Sequence, residues 1–214
     1  MSNPSSTPHT YVVEHLEPEL GTWSLLEYTT IASETALPSR FYLSSLPTSL
    51  ASNLPAPLPS LRSESFVTTT QNIEELVGEE GKHRVCLLDP QAEEELTPAD
   101  AERFDWFVFG GILGDEPPRD RTSELRKYGY TGRNLRKMQM TTDTAVRVTR
   151  MVIDGQQSLD AIPFTDYPEL KLGKHETTTM PFRYVRDAAG NPVMPDGMLD
   201  LIKKDADKSL DDLF

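Results

Sequence analysis

The chain has 214 residues, of which 37% are hydrophobic and 26% are charged, and its formal net charge is −13 at pH 7. This length suits one substantial domain or two small ones, and the 17 prolines indicate that part of the chain is loop. The single cysteine, Cys86, excludes an internal disulfide framework. The sequence lacks an apolar run of roughly 20 residues, as a membrane span needs, and residues 1–10 lack the pattern of a secretory signal. We therefore expect a cytoplasmic protein.

The charges are unevenly distributed along the chain. Residues 119–150 contain nine Arg or Lys against three acids, a local charge of +6, so the remainder carries −19. Proteins that bind duplex nucleic acid usually present a dominant basic surface, whereas an acidic body attracts a basic partner. The alternative is that the acidity serves only solubility.

In the first half of the chain, residues 1–10 are predicted to form a disordered tail, followed by alternating strands and helices. The segment 46–65 is rich in Leu, Pro and Ser without a sustained period, and its prolines interrupt regular pairing, so we predict a surface loop. The other predicted elements, in order, are a strand at Tyr11–Val13, a helix opening at Thr22, a strand at Arg40–Ser44, a β-prone run at Ser65–Thr70 and a helical turn at Ile73–Val77.

Two apolar runs in the middle of the chain predict buried strands. Arg84–Leu88 stops at Asp89 and Pro90, and Trp106–Phe109 stops at a glycine-rich run at 110–115. Glycine permits close approach of the backbone to a ligand, because no Cβ stands in the way. The glycines are equally compatible with a simple turn.

Three further helices are predicted from their capping residues. Thr97–Asp100 provides an N-cap, a proline at the first helical position and an acid at the third. Ser123–Tyr128 ends with basic residues, which suits a helix C-terminus. The run Thr141–Thr144 opens a helix whose apolar positions recur at i, i+3, i+4 and i+7, and Gly155 suits the position just after its end.

The C-terminal part of the chain is less regular. Ile162–Val185 contains three prolines and no period, so we predict irregular structure, and residues 196–214 form an acidic segment with a helix from Met198. Strands alternating with helices predict an α/β fold with a mostly parallel sheet, within a single domain at 11–195.

Several kinds of site are disfavoured by the motifs. The 110–114 loop lacks the Gly-Lys-Ser/Thr of a P-loop and the spacing of a dinucleotide fingerprint. The four histidines are scattered and Cys86 stands alone, which disfavours a metal centre. Ligands of open α/β sheets bind beyond the carboxyl ends of strands. The strand ends at 88–90, 109–115 and 135–143 could hold a nucleoside cofactor, although core packing explains their apolar residues equally well.

Two stretches resemble a known family. The run Phe-Gly-Gly-Ile-Leu-Gly-Asp at 109–115, followed by Arg-Asn-Leu-Arg-Lys-Met-Gln-Met-Thr-Thr-Asp-Thr-Ala-Val-Arg-Val-Thr at 133–149, resembles the SPOUT methyltransferases. The similarity is greatest to the eukaryotic, fungal SPOUT-type protein arginine methyltransferases. It extends over roughly residues 11–185 and includes the segments 11–17, 23–28, 166–170 and 180–185.

The resemblance implies a SPOUT fold with a C-terminal trefoil knot, whose loops bind S-adenosylmethionine. Knots are rare in proteins, so this expectation rests on the resemblance alone. The implied cofactor-binding residues are Asp89, Pro90, Phe109, Gly110, Gly111, Ile112, Leu113, Gly114, Leu135, Met138, Gln139, Met140, Thr141, Thr142, Asp143, Thr144 and Ala145.

The resemblance also implies methyl transfer to an arginine side chain of a basic partner, a small-subunit ribosomal protein, by a monomer that requires neither membrane nor nucleic acid. A guanidinium is permanently charged in solution, so the site must orient it and accept a proton. Carboxylates bind guanidinium in a bidentate way. The first candidate is therefore Asp115, and the others are Glu14, Glu17 and Glu116, with Glu17 and Glu116 equally explained as solvated loop acids.

Two other functions remain open at this point. Most SPOUT enzymes methylate tRNA or rRNA, and the basic segment 119–150 could contact phosphates. Alternatively, the protein is a binding module without catalytic activity.

Overall fold

The protein is built around one sheet of six parallel strands in the order β3-β2-β1-β5-β4-β6. The structure, a computed structural model, describes residues 8–110, 122–173 and 176–211. The strands are β1 (Thr10–Glu14), β2 (Arg40–Ser44), β3 (Phe66–Thr68), β4 (Val85–Leu88), β5 (Trp106–Gly110) and β6 (Thr131–Arg133). The predicted mostly parallel sheet is confirmed.

Helices cover both faces of this sheet. They are α1 (Thr22–Glu34), α2 (Thr48–Ser52), α3 (Leu58–Leu61), α4 (Ile73–Gly81), α5 (Asp100–Arg103), α6 (Thr122–Arg126), α7 (Thr142–Ile153) and α8 (Met198–Asp211). Among the described residues, no helix has both the length and the apolar character that a membrane crossing requires.

The alternation of side chains along β1 separates two hydrophobic clusters. Tyr11 and Val13 pack in the larger cluster with α1 and α7, whereas Val12 packs in the smaller cluster with Ile73 of α4 and Leu125 of α6. Burial on both faces explains why the strands are continuous apolar runs.

The prediction of a loop over residues 46–65 is wrong in part, because α2 and α3 lie within it. Leu58, the first residue of α3, is fully buried and belongs to the larger cluster. Pro47 and Pro57 occupy the N-cap positions of these helices. The prolines therefore precede short helices, where their fixed φ is tolerated.

The N-terminal boundary is also corrected, since Thr10 belongs to β1 and His9 is buried against the fold. The prediction of a disordered tail over residues 1–10 is therefore wrong for these two residues. The helix predicted from Thr97 begins at Asp100. The predicted N-cap at Thr97 is therefore wrong, because the N-cap residue is Ala99 and it makes no side-chain capping hydrogen bond. Thr97 instead donates its backbone N–H to the carboxylate of Asp100 at 2.9 Å.

The segment 162–185, predicted as irregular, contains four strands of three residues each. They are β7 (Phe164–Asp166), β8 (Glu169–Lys171), β9 (Thr177–Thr179) and β10 (Arg183–Val185). They form two antiparallel pairs, β7 with β10 and β8 with β9. The C-terminal helix α8 packs beside them through Ile202 and Ala206.

The chain that leaves β6 lies against the loop between β4 and β5. The backbone N–H of Asn134 donates to the carbonyl of Glu94, and its carbonyl accepts from the N–H of Leu96, both at 2.9 Å. The Asn134 side chain donates to the carbonyl of Ala92 at 2.9 Å. These contacts are consistent with a trefoil knot, which itself stays a prediction.

Candidate active site

The predicted strand ends meet at one edge of the sheet. Because β1, β5, β4 and β6 are parallel, their carboxyl ends lie side by side: Glu14 is opposite Gly110, and Leu88 is opposite Arg133. This edge is where open α/β sheets bind ligands.

The floor of this edge is apolar. Leu88, Phe109 and Met140 are buried in the same hydrophobic cluster, and the half-buried Leu135 packs against it. Side chains at or just after the ends of β4, β5 and β6 therefore belong to one apolar cluster. Such a cluster suits a flat apolar group, as in a nucleoside base, with polar backbone groups around it.

The loop that follows β6 is fixed from the C-terminal part of the chain. The backbone N–H of Arg183 donates to the carbonyl of Gln139 at 2.8 Å, and Met140 forms a parallel bridge with Arg183. The half-buried Met138 places its Sδ 3.8 Å from the hydroxyl of Tyr167. Of the predicted loop residues, Gln139 is exposed and Met140 is buried.

The residues at the start of α7 are almost completely buried. Thr141, Thr142, Asp143 and Thr144 are at most 5% exposed, and Ala145 is half-buried. The Thr141 hydroxyl donates to that of Thr144 at 2.8 Å. The helix start thus forms a rigid end to the loop.

An ion network joins α7 to α1. Arg147 Nη2 lies 2.6 Å from Glu34 Oε1, and its Nη1 lies 3.2 Å from Asp143 Oδ2. Burial raises the pKa of Asp143, and the nearby Arg147 opposes this rise. One oxygen of the predicted cofactor residue Asp143 is thus engaged within the fold.

The first loop is organised by Asp89. Its carboxylate accepts hydrogen bonds from Arg126 at 2.5 and 2.7 Å and from the backbone N–H of Gln91 at 2.9 Å. Burial alone raises the pKa of Asp89, but these hydrogen bonds outweigh it and hold the pKa below its usual value. The adjacent Pro90 is exposed. A cavity of about 350 Å³ beside this loop is lined by Asp89, Arg126 and Tyr130, among others.

Two of the four candidate carboxylates lie within the described residues. Glu14 is 2% exposed at the end of β1, and it accepts hydrogen bonds from the Ser45 hydroxyl and the backbone N–H of Ile73, both at 2.6 Å. Burial raises the pKa of Glu14, which these hydrogen bonds oppose. Its carboxyl group thus anchors the start of α4. Glu17 is half-buried in the turn after β1.

The remaining predicted residues lie outside the described part of the chain. They are Gly111, Ile112, Leu113, Gly114, Asp115 and Glu116.

Glu27 was not among the predicted site residues, yet it contacts the site directly. Its Oε1 accepts a hydrogen bond from the backbone N–H of Thr142 at 3.0 Å. The sequence does indicate that Glu27 is buried, because Trp23, Glu27 and Ile31 follow one another at i, i+4 and i+8 and share a helix face. An acid on an apolar face indicates a buried polar contact.

In the described part of the chain, no group of three or more His, Cys, Asp or Glu has the arrangement of a metal site.

Comparison with known proteins identifies relatives. A family model described as SFM1-like protein arginine N-methyltransferase matches residues 10–209. Protein arginine N-methyltransferase SFM1 of Saccharomyces cerevisiae is 47% identical over 216 residues, which span 95% of this chain and 99% of the relative.

Solved structures agree with this match. Yeast SFM1 in complex with SAM is 45% identical, with a TM-score of 0.82, covering 92% of this chain and 91% of that chain. Its complex with SAH has a TM-score of 0.80 at 45% identity, covering 90% of this chain and 94% of that chain. Trm10 from Thermococcus kodakaraensis is 18% identical, with a TM-score of 0.50, covering 72% and 95% of the two chains, and this likeness shows the fold alone.

Proposed function

Because the chain belongs to the SFM1-like family of protein arginine N-methyltransferases, we propose that it methylates an arginine side chain of a ribosomal protein. The methyl donor is S-adenosylmethionine, with which a relative at 45% identity has been crystallised. The observation that carries the proposal is the meeting of the ends of β4, β5 and β6 at one edge.

The residues at this edge fit the cofactor. The apolar floor of Leu88, Phe109 and Met140 is suited to an adenine ring, and the backbone of Gly110 lies beside it. We propose that the loop at Leu135–Thr141, the start of α7 and residues 109–114 would hold the cofactor. When bound, S-adenosylmethionine supplies a methyl group on a positively charged sulfur.

The protein must then hold the substrate guanidinium and take up the proton that it loses. A carboxylate performs both tasks, because it binds guanidinium in a bidentate way and accepts protons. We propose Asp115, the last residue of the run at 109–115, as the acceptor of this proton. Glu14 lies at the end of β1, where Ser45 and Ile73 donate hydrogen bonds to its carboxyl group. The other two candidates are Glu17, three residues after Glu14, and Glu116, directly after Asp115.

A basic protein substrate fits the charge of the chain. The formal net charge is −13, which favours association with a basic partner through long-range attraction. Ribosomal proteins are rich in Lys and Arg. We further propose that the enzyme acts as a monomer, with all of its methyl-transfer residues in one chain.

The basic segment 119–150 argues against RNA as the substrate. Among the described residues, five of its arginines form ion pairs within the fold, so their charge is neutralised internally rather than presented to phosphates. These pairs are Arg126 with Asp89 at 2.5 Å, Arg133 with Asp100 at 3.1 Å, Arg136 with Asp160 at 2.6 Å, Arg147 with Glu34 at 2.6 Å and Arg150 with Glu34 at 3.7 Å.

The test is transfer of radiolabelled methyl groups from S-adenosylmethionine to ribosomal protein and to RNA, both from cells that lack this enzyme. We expect label in the protein fraction, at arginine. Label in the RNA fraction alone would identify an RNA methyltransferase. A protein that neither binds S-adenosylmethionine at millimolar concentration nor transfers label would be a binding module without this activity.

A further inference from the structure

The N-terminus of α7 receives its cap from a distant helix. The first N–H groups of a helix have no partner within the helix and need an outside acceptor. The N-cap residue Thr141 makes no capping hydrogen bond with its own side chain. Instead, Glu27 of α1 extends its carboxyl group to the backbone N–H of Thr142, with Oε1 at 3.0 Å.

This contact fixes the chain at the C-terminal end of the loop at residues 135–141. The backbone N–H of Arg183 holds the loop at the carbonyl of Gln139, at 2.8 Å. Glu27 holds the chain three residues later, at Thr142. The loop is therefore clamped between β10 on one side and α1 on the other, immediately before the helix that follows it.

The polar surroundings of Glu27 lower the stability of the fold. Glu27 is 1% exposed, and three buried polar atoms near it lack a hydrogen-bond partner among the described residues: Glu27 Oε2, Asp143 Oδ1 and the Tyr184 hydroxyl oxygen. They come from α1, α7 and β10. A buried polar atom without a partner destabilises a fold, so an apolar side chain at position 27 would serve packing better.

The charges around Glu27 favour an uncharged carboxyl group. Burial, followed by the charge of Asp143, raises the pKa of Glu27 well above its usual value. Asp143 is itself paired with Arg147 at 3.2 Å. A neutral Glu27 retains a carbonyl-type oxygen for the N–H of Thr142, and an amide in its place would retain one too.

We infer that Glu27 is a positioning residue for the cofactor, which acts by fixing the start of α7 and with it the loop at residues 135–141. This inference rests on the proposed function, because it requires that this loop binds S-adenosylmethionine. Glu27 acts through Thr142 and has no role in proton transfer. Displacing a binding group by about 1 Å can reduce reactivity by about two orders of magnitude, so a shift of this loop has a measurable effect.

Calorimetric titration with S-adenosylhomocysteine tests the inference on three variants of the full chain. Glu27→Leu keeps the volume and removes the acceptor, whereas Glu27→Gln keeps an acceptor oxygen. Asp154→Ala is the matched control, because Asp154 is a partly buried carboxylate at the other end of α7 and accepts hydrogen bonds from His9 and Ser39 at 3.0 and 2.9 Å. Amide hydrogen exchange at Thr142 provides a readout without ligand.

We expect Glu27→Leu to raise the Kd at least about tenfold and to accelerate exchange at Thr142. Glu27→Gln should restore the Kd to within about threefold of wild type, and Asp154→Ala should lower stability without changing the Kd. The inference is overturned by an unchanged Kd in Glu27→Leu, by a failure of Glu27→Gln to restore it, or by an equal rise in Asp154→Ala. If the wild-type protein does not bind S-adenosylhomocysteine, the proposed cofactor site and this inference are both overturned.

Discussion

Arg133, the last residue of β6, forms a buried ion pair with Asp100 of α5. Arg133 Nε lies 3.1 Å from Asp100 Oδ1, and the two side chains are only 4% and 3% exposed. Asp100 also accepts a hydrogen bond from the backbone N–H of Thr97 at 2.9 Å. The pair therefore joins the loop between β4 and β5 to the strand that leads into the loop at residues 135–141, which we propose to bind the cofactor.

Replacing Arg133 by Met should lower the free energy of unfolding by about 3–5 kcal/mol, because it leaves the carboxylate of Asp100 buried without its cation. Urea denaturation measures this loss. Arg103 is a matched control, since it lies 3.9 Å from the same carboxylate but is 59% exposed. Arg103→Met should change stability by less than about 1 kcal/mol. An equal loss of unfolding free energy in the two variants would contradict this prediction, because burial of the ion pair would then make no difference.

A second prediction concerns the end of α7. A Cβ at Gly155 would lie 2.6 Å from the carbonyl oxygen of Met151, so the backbone would have to move. Gly155→Ala should therefore destabilise the protein by about 1–3 kcal/mol. At Gly173 the nearest atoms, of Glu176, would be 3.7 Å from an added Cβ, and Gly173→Ala should stay within about 0.5 kcal/mol of wild type. Thermal unfolding of both variants checks the contrast, and a neutral Gly155→Ala contradicts it.

The third prediction concerns the pH dependence of stability. His9 Nδ1 lies 3.0 Å from Asp154 Oδ1, and Nε2 lies 3.1 Å from the carbonyl oxygen of Ala101. Burial alone lowers the pKa of His9, but hydrogen bonds to Asp154 and Ala101 outweigh it and raise the pKa above 6.5. Burial likewise favours a higher pKa for Asp154, but His9 and Ser39 hold that pKa below 3.8.

A raised histidine pKa stabilises the fold fully below 6.5, and this contribution is lost as the pH rises through the folded pKa. The lowered pKa of Asp154 stabilises above 3.8 and is lost in acid. His9→Gln should therefore reduce the free energy of unfolding more at about pH 5.5 than at about pH 9. The exposed His83 provides the control variant His83→Gln. An equal loss at both pH values for His9→Gln would contradict the prediction.

Regular apolar patterns predicted most of the central sheet. The strand predicted at Arg40–Ser44 has the same limits as β2. β2 lies between β1 and β3 in the sheet, and its alternating apolar side chains make such a strand recognisable in the sequence. The strand Thr131–Arg133 was missed, since Thr-Gly-Arg has no apolar residue and is defined by its pairing with β4. The three-residue strands of the segment 162–185 are too short to show a period.

The site was less predictable than the fold. The side chain of Arg147, on α7, is only 10% exposed and pairs with Glu34 at 2.6 Å. The two residues are 113 positions apart, and local sequence does not indicate such a partner. Glu27 and Thr142 are likewise separated by 115 positions. The ends of β4 and β5 were predictable from local patterns, whereas β6 and the side chains that fix these strand ends depend on tertiary structure.

The fourth prediction concerns proton transfer. Asp115→Asn keeps the size of the side chain and removes the proposed proton acceptor, so turnover of the arginine substrate should fall by about 10²–10⁴-fold. The Kd for S-adenosylhomocysteine should stay within about threefold of wild type, since neutralising this group leaves the apolar floor intact. Single-turnover methyl transfer and calorimetry measure the two quantities. Glu14→Gln is the comparison, because its carboxyl group accepts a hydrogen bond from Ile73 at 2.6 Å and its loss should chiefly lower stability. Unchanged turnover in Asp115→Asn would show that Asp115 is not the proton acceptor.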